Sequence, residues 1–160
     1  MAGNPKGYAN PDLLIEADDL AAALDGPDAP LVLDLRPAEA YAAGHVPTAV
    51  HLDLFGISLI DTDPAPLRAF LWILEHLLAS RGVSADRPVV VYDEHSGMRA
   101  ARAFWALEYF GHTQTRLFDG GFGAWRAGGH SVSLEPVSPK STTWTGVPVD
   151  DRMASYRDVL

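Results

Sequence analysis

The 160-residue chain contains no cysteine. That absence excludes disulfides, thiolate zinc sites and thiol nucleophiles within it. Positive charge is also scarce: 12 Lys and Arg stand against 21 Asp and Glu, a formal net charge of -9, with no basic run to offset it locally. Binding to phosphates depends on neutralising cations, so a nucleic acid duplex or an anionic membrane surface is repelled rather than recruited. Neither nucleic acid nor membrane is expected as a partner. No apolar stretch approaches the ~18 residues of a membrane span, and the opening Met-Ala-Gly-Asn-Pro-Lys-Gly has no apolar region of the secretory kind. A cytoplasmic location is the resulting expectation.

What remains is the composition of a folded protein, 48% hydrophobic with 21% charged residues. A chain of this length buries about 70% of its unfolded surface, enough for one sizeable core. Residues 1–12, punctuated by Gly, Asn and Pro, read as a loose arm. Residues 13–15 suggest a short strand and 17–24 a helix with carboxylates at its start, where they favour the dipole. The apolar run 31–35 reads as a buried parallel strand, followed by a short helix over 38–43 that Pro37 opens and Gly44 ends. Residues 48–52 suggest another strand, 61–66 a polar, proline-rich connection, and 67–80 an amphipathic helix with apolar residues three and four apart. Residues 89–92 are the most strand-like run. A second long helix over 100–110, a strand over 116–118 and a short helix over 121–127 follow.

Strands alternating with helices predict one α/β domain over residues 13–130: about five strands in a mostly parallel sheet, with helices on both faces. Residues 131–149, rich in Pro, Ser and Thr, read as an extended linker hugging the surface. Residues 150–160 restart a helical pattern with nothing evident to pack on, as at the start of a second, missing copy of the domain.

The richest segment for chemistry is 88–102, a strand, a loop and a helix start. The loop is Asp93, Glu94, His95, Ser96, Gly97, Met98 and Arg99. A loop of this build at the carboxyl end of a strand is where open α/β sheets hold ligands and nucleophiles. Asp93 is expected to bond loop amides or to cap the following helix. As an aspartyl nucleophile it has no partner acid or metal pair. His95 and Ser96 are sequence neighbours with no third orienting group, which argues against a base and nucleophile pair. The six histidines show no short paired spacing, so no metal site is expected, and no cofactor is implied. Asp34 and Arg36, read as alternating across a strand end, are expected to point apart unless the strand has already ended, and to form structural ion pairs with other loops. Gly120 and Gly121 suggest a tight turn before the helix bearing Trp125. Phe104, Trp105, Tyr109 and Phe110 read as core, or as a face for a second domain. Arg99 and Arg102 sit where they reach a domain interface and steer an anionic substrate.

Three segments together resemble the rhodanese family. Residues 33–49, with Asp34, Arg36, Tyr41, Gly44, His45 and Pro47, are similar to its Asp-x-Arg and Tyr-x-x-Gly-His-Ile-Pro-Gly-Ala signature. Residues 89–93 with the loop after them are the second segment. Residues 117–125, with Gly120, Gly121 and Trp125, are similar to its Leu-x-Gly-Gly-x-x-x-Trp segment. Thr48 stands where the family usually has Gly, a change expected to tighten a turn. Asp93 stands where a catalytic member carries the Cys that accepts a sulfane sulfur as a persulfide. A carboxylate forms no persulfide, and it repels an anion ~4 Å away by on the order of 4 kcal/mol at an effective dielectric near 20. The loop is longer than the catalytic one, and its continuation resembles the amino-terminal, non-catalytic half of tandem-domain thiosulfate or 3-mercaptopyruvate sulfurtransferases. The resemblance implies no catalytic residue in this chain and a partner in the catalytic rhodanese domain of the same parent protein. The competing expectation is a stand-alone, inactive, rhodanese-like protein-binding module.

Overall fold

A computed structural model of the chain describes residues 6–155 and 158–159. The elements are β1 (Leu14–Ile15), α1 (Ala17–Leu24), β2 (Leu31–Asp34), α2 (Ala38–Ala42), β3 (Val50–His51), α3 (Pro64–Ser80), β4 (Val89–Tyr92), α4 (Met98–Tyr109), β5 (Thr115–Phe118) and α5 (Gly121–Ala127). Single 3-10 turns stand at Pro11–Leu13 and Asp150–Arg152. The five strands form one sheet in the order β1-β5-β4-β2-β3, and every pairing is parallel.

Strand periodicity explains the layering. Along β2 and β4, Leu31, Leu33, Val89 and Val91 point to one face and Val32, Val90 and Tyr92 to the other. The first face packs on α3 and α4 through Leu74, Leu78, Ala103 and Leu107. The second packs on α1 and α5 through Leu20, Phe122 and Trp125. With both faces covered, the central strands read as continuous apolar runs rather than as alternating ones.

Two helices begin earlier than periodicity predicts. α3 starts at Pro64 rather than at residue 67, because prolines are tolerated in a first turn whose N–H groups have no partner in the helix. α4 starts at Met98, with Gly97 at its cap. Of the amino-terminal arm, residues 1–5 lie outside the described residues. Lys6 is tied down: its Nζ donates to Asp119 at 2.6 Å and to Glu16 at 3.0 Å. The Tyr8 hydroxyl donates to Asp119 at 3.0 Å. These carboxylates push the Lys6 ammonium pKa above its ordinary value.

The segment after α5 forms a strap. His45 and Ser133 exchange backbone hydrogen bonds at 2.9 and 3.0 Å. Val137, Trp144 and Met153 pack on the α3/α4 core. The N–H groups of Val147 and Val149 donate to the carbonyls of Phe110 and Tyr109. An ideal Cβ at Gly146 would lie 2.4 Å from the Phe110 side chain, so the strap crosses that ring in near contact. The aromatic face of α4, read as core or as a face for a second domain, is covered here by the chain's own strap. The restarted helix expected over 150–160 is a 3-10 turn at Asp150–Arg152, with Tyr156, Arg157 and Leu160 outside the described residues. That turn is held by the Trp105 indole N–H to the Arg152 carbonyl at 2.8 Å and by an Arg152–Glu108 ion pair at 3.2 Å.

Thr48 has φ of 68°, the left-handed region that β-branched residues rarely enter. The substitution at this turn is therefore a strain rather than a simple tightening. Thr48→Gly is expected to stabilise the chain by about 1 kcal/mol, the removed strain being partly offset by the freer unfolded chain. Urea unfolding midpoints of the two proteins check this.

Candidate functional site

The site stands at the carboxyl end of β4. Asp93 leaves the strand and turns its buried carboxylate back into the loop that follows. Its Oδ1 accepts hydrogen bonds from the N–H groups of Gly97 at 2.6 Å and His95 at 3.1 Å, and its Oδ2 accepts one from Ala100 at 3.1 Å. A ring of amides at a helix N-terminus is an anion cradle, and this one encloses a carboxylate of its own chain.

The outer side of the loop rests on α5. The Asp93 carbonyl accepts from Phe122 N–H and the Glu94 carbonyl from Gly123 N–H, both at 2.9 Å. Such an approach needs bare backbone. An ideal Cβ at Gly121 would lie 2.2 Å from the Asp93 carbonyl oxygen, and one at Gly123 2.8 Å from His95 Nδ1. Gly120 and Gly121 are thus more than a tight turn, and Gly123 belongs to the site although the sequence reading passed over it. The signal was present as three glycines among residues 120–123, the cap and first turn of α5, where close contact favours them.

Ser96, with φ of 58°, donates its hydroxyl to the Phe118 carbonyl at 2.9 Å and accepts from Gly120 N–H at 2.5 Å. Its oxygen is engaged in holding the loop to β5. The His95 ring lies against Gly123. No hydrogen bond joins His95 to Ser96 among the described residues.

A buried polar network stands behind the cradle. Asp34 and Arg36 do not point apart: β2 ends at Asp34, and residues two apart project to the same side. Arg36 pairs with Asp34 through Nε at 3.0 Å and Nη2 at 2.7 Å, and Nη2 also reaches the Gly44 carbonyl at 2.6 Å. Its guanidinium lies 3.8 Å from the Phe122 ring centroid and bonds Glu94 at 3.3 Å, so the expected tie to another loop exists as well. Arg126 holds the other oxygen of Glu94 at 2.9 Å. Burial opposes the charge on Arg36, but Asp34 more than offsets it and the guanidinium pKa is raised. The Tyr92 hydroxyl donates to Asp34 at 2.5 Å and accepts from Val46 N–H at 3.2 Å.

The remaining predicted residues divide into framework and rim. Tyr41 stacks on His45 at 3.9 Å and donates to the Ala49 carbonyl at 2.9 Å, framing the turn that contains Pro47. The buried His45 ring lies between the carbonyls of Tyr41 and Glu135. Trp125 is buried, with its indole N–H on the Ser131 carbonyl at 2.8 Å. Met98 is exposed beside the cradle. Arg99 pairs with Asp53 at 2.8 Å, and Arg102 donates to the Leu54 carbonyl at 2.9 Å. Among the described residues no cluster of three His, Asp or Glu side chains is placed to hold a metal, and no helix is long and apolar enough to cross a membrane.

A parallel five-stranded α/β domain whose central loop closes around a carboxylate, in a chain without cysteine, is the class that geometry defines. Residues 16–128 match the family model of the rhodanese-like domain, and the chain belongs to that family. Over 149 residues it is 30% identical to a putative thiosulfate sulfurtransferase 1 of Mycobacterium bovis, covering 92% of this chain and 52% of that protein. Over 165 residues it is 34% identical to the putative thiosulfate sulfurtransferase SseB of Mycobacterium tuberculosis, covering 95% and 57%. The solved structure of the 3-mercaptopyruvate sulfotransferase SseA from Escherichia coli superposes with a TM-score of 0.74 at 26% identity, covering 92% of this chain and 60% of that one. The chain spans about half the length of the curated relatives it matches.

The Tyr92 network gives a pH dependence. Burial and the neighbouring Asp34 carboxylate raise the Tyr92 phenol well above its ordinary value of 10. The folded state then keeps a proton that the unfolded chain releases, so the contribution is complete below pH ~10 and is lost progressively above it. Urea midpoints are expected to fall steeply above pH ~10, and less steeply in Tyr92→Phe. At pH 7 that variant is expected to be about 1–3 kcal/mol less stable, because Asp34 loses a buried donor.

Proposed function

We propose that the chain is the non-catalytic, amino-terminal half of a two-domain sulfurtransferase, where it stabilises a catalytic rhodanese domain of the same protein and shapes the cleft between the two. The observation that carries this reading is the filled cradle. The amides that point to the centre of the loop bind the Asp93 carboxylate, which has no sulfur to offer and cannot form a persulfide. The similarity to thiosulfate sulfurtransferases about twice as long as the chain supports a second half that supplies the missing thiol. In that parent, sulfur passes from thiosulfate or 3-mercaptopyruvate to a cysteine of the other half, and from there to cyanide or a thiol.

One observation favours the alternative of a stand-alone, inactive binding module. The strap and its 3-10 turn at Asp150–Arg152 pack on Trp105, Tyr109 and Phe110 of α4, contacts that a module folding back on itself would make. Limited proteolysis separates the readings. Release of residues 150–159 within minutes supports the half-enzyme, and lasting protection supports the module.

The purified chain, incubated with thiosulfate and cyanide, is expected to form no thiocyanate above the uncatalysed background. Its intact mass is expected to gain no sulfur atom. Stoichiometric thiocyanate or a persulfidated mass would overturn both readings.

A further inference from the structure

α3 has two faces, and the core uses one of them. Phe70, Leu74 and Leu78 enter the packing beneath the helix. The opposite side is exposed and carries Ala65, Ala69, Trp72 and His76, which recur at intervals of four, three and four residues. That is the seam spacing by which one helix packs along another. Trp72 is 59% exposed and Ile73 beside it 41%, large apolar side chains left in water on the longest described helix. The Trp72 ring is held in place: it lies 4.0 Å from the His76 ring, whose Nδ1 is 2.9 Å from the Trp72 carbonyl oxygen. An ordered aromatic ring on an exposed strip is a common anchor of protein interfaces.

Charge identifies what fits the strip. Copies of a chain of net charge -9 repel one another over most of their surface. α3 is different, because its 17 residues hold one cation, Arg68, and one anion, Glu75. These stand seven residues apart, hence on the same flank of the seam. Glu75 keeps one oxygen on the Gly146 N–H at 2.8 Å, and among the described residues neither Arg68 nor Glu75 has an ion-pair partner. When two copies of the helix lie antiparallel about a two-fold axis near Leu71, Arg68 of each stands across from Glu75 of the other, and the apolar flank with Pro66 and Ile73 meets its own kind. Size matches as well: the bulky Trp72 and His76 of one copy come opposite the small Ala69 and Ala65 of the other. A parallel arrangement instead sets Arg68 on Arg68 and Trp72 on Trp72.

We propose that this face of α3 pairs with the same face of a second copy of the chain, in the antiparallel sense, with Trp72 as the anchor. The helix is about 25 Å long, so the contact belongs at the small end of specific interfaces, and the dimer is expected to dissociate at roughly 10–100 µM. The face shares no residue with the Asp93 loop, so the inference is independent of the sulfurtransferase reading.

Sedimentation velocity of the chain from about 1 µM to about 1 mM tests it. The expected result is a reversible shift from monomer to dimer, with no larger species. Trp72→Ala, at an exposed position, is expected to weaken the dimer at least about tenfold. Ala69→Trp adds apolar surface but fills the recess that receives Trp72, and it is expected to abolish the dimer, whereas unspecific apolar association would be strengthened by it. Arg68→Glu and Glu75→Lys each set like charges face to face and are each expected to weaken self-association roughly tenfold, while an equal mixture of the two variants pairs again. Should Glu75→Lys disturb the strap, Trp72→Ala and Ala69→Trp keep the test decisive. A chain that stays monomeric at every concentration, a dimer indifferent to Trp72→Ala, or one strengthened by Ala69→Trp would overturn the proposal.

Discussion

The buried Asp34–Arg36 pair is the interaction on which the functional end of the domain depends. Both side chains are almost wholly removed from water, a placement that is unfavourable for isolated charges and tolerable only when each is fully bonded. Their remaining bonding capacity is spread over four other segments. Arg36 takes the Gly44 carbonyl after α2, Glu94 in the loop after β4 and the Phe122 ring on α5. Asp34 takes the Tyr92 hydroxyl at the end of β4. One ion pair thus fixes the positions of the loops after β2, α2 and β4 with respect to α5. Removing either partner of such a pair typically costs about 3–5 kcal/mol, because the other is left charged and buried.

On that support the Asp93 loop folds around its own carboxylate. A cradle of amides draws negative charge, and here the charge is supplied internally and permanently. The loop has no vacancy for a second anion at its centre.

The architecture was largely legible because its strands are apolar runs and its helices carry three-and-four spacing, signals that depend on local sequence alone. α1 and α5 fall where the sequence places them, and the sheet has the expected five strands. The failures have physical causes. The start of α3 was hidden by Pro64 and Pro66, which mark a loop by composition and a first turn by geometry. The pairing of Asp34 with Arg36 was misjudged by taking residues two apart as facing opposite ways. The role of Gly123 depends on the approach of α5 to a loop about thirty residues earlier, and the covering of α4 depends on where the strap crosses it. Both are long-range contacts with no local signature.

The most direct measurement is amide hydrogen exchange in the native chain and in Asp93→Ala. If the carboxylate is the anion around which the loop folds, the amides of His95, Gly97 and Ala100 exchange roughly 10–100-fold faster in the variant, while the strand amides of Val90 and Val91 keep their protection. Unchanged exchange at the three loop amides would contradict the account, since the loop would then hold its shape without the charge assigned to organise it.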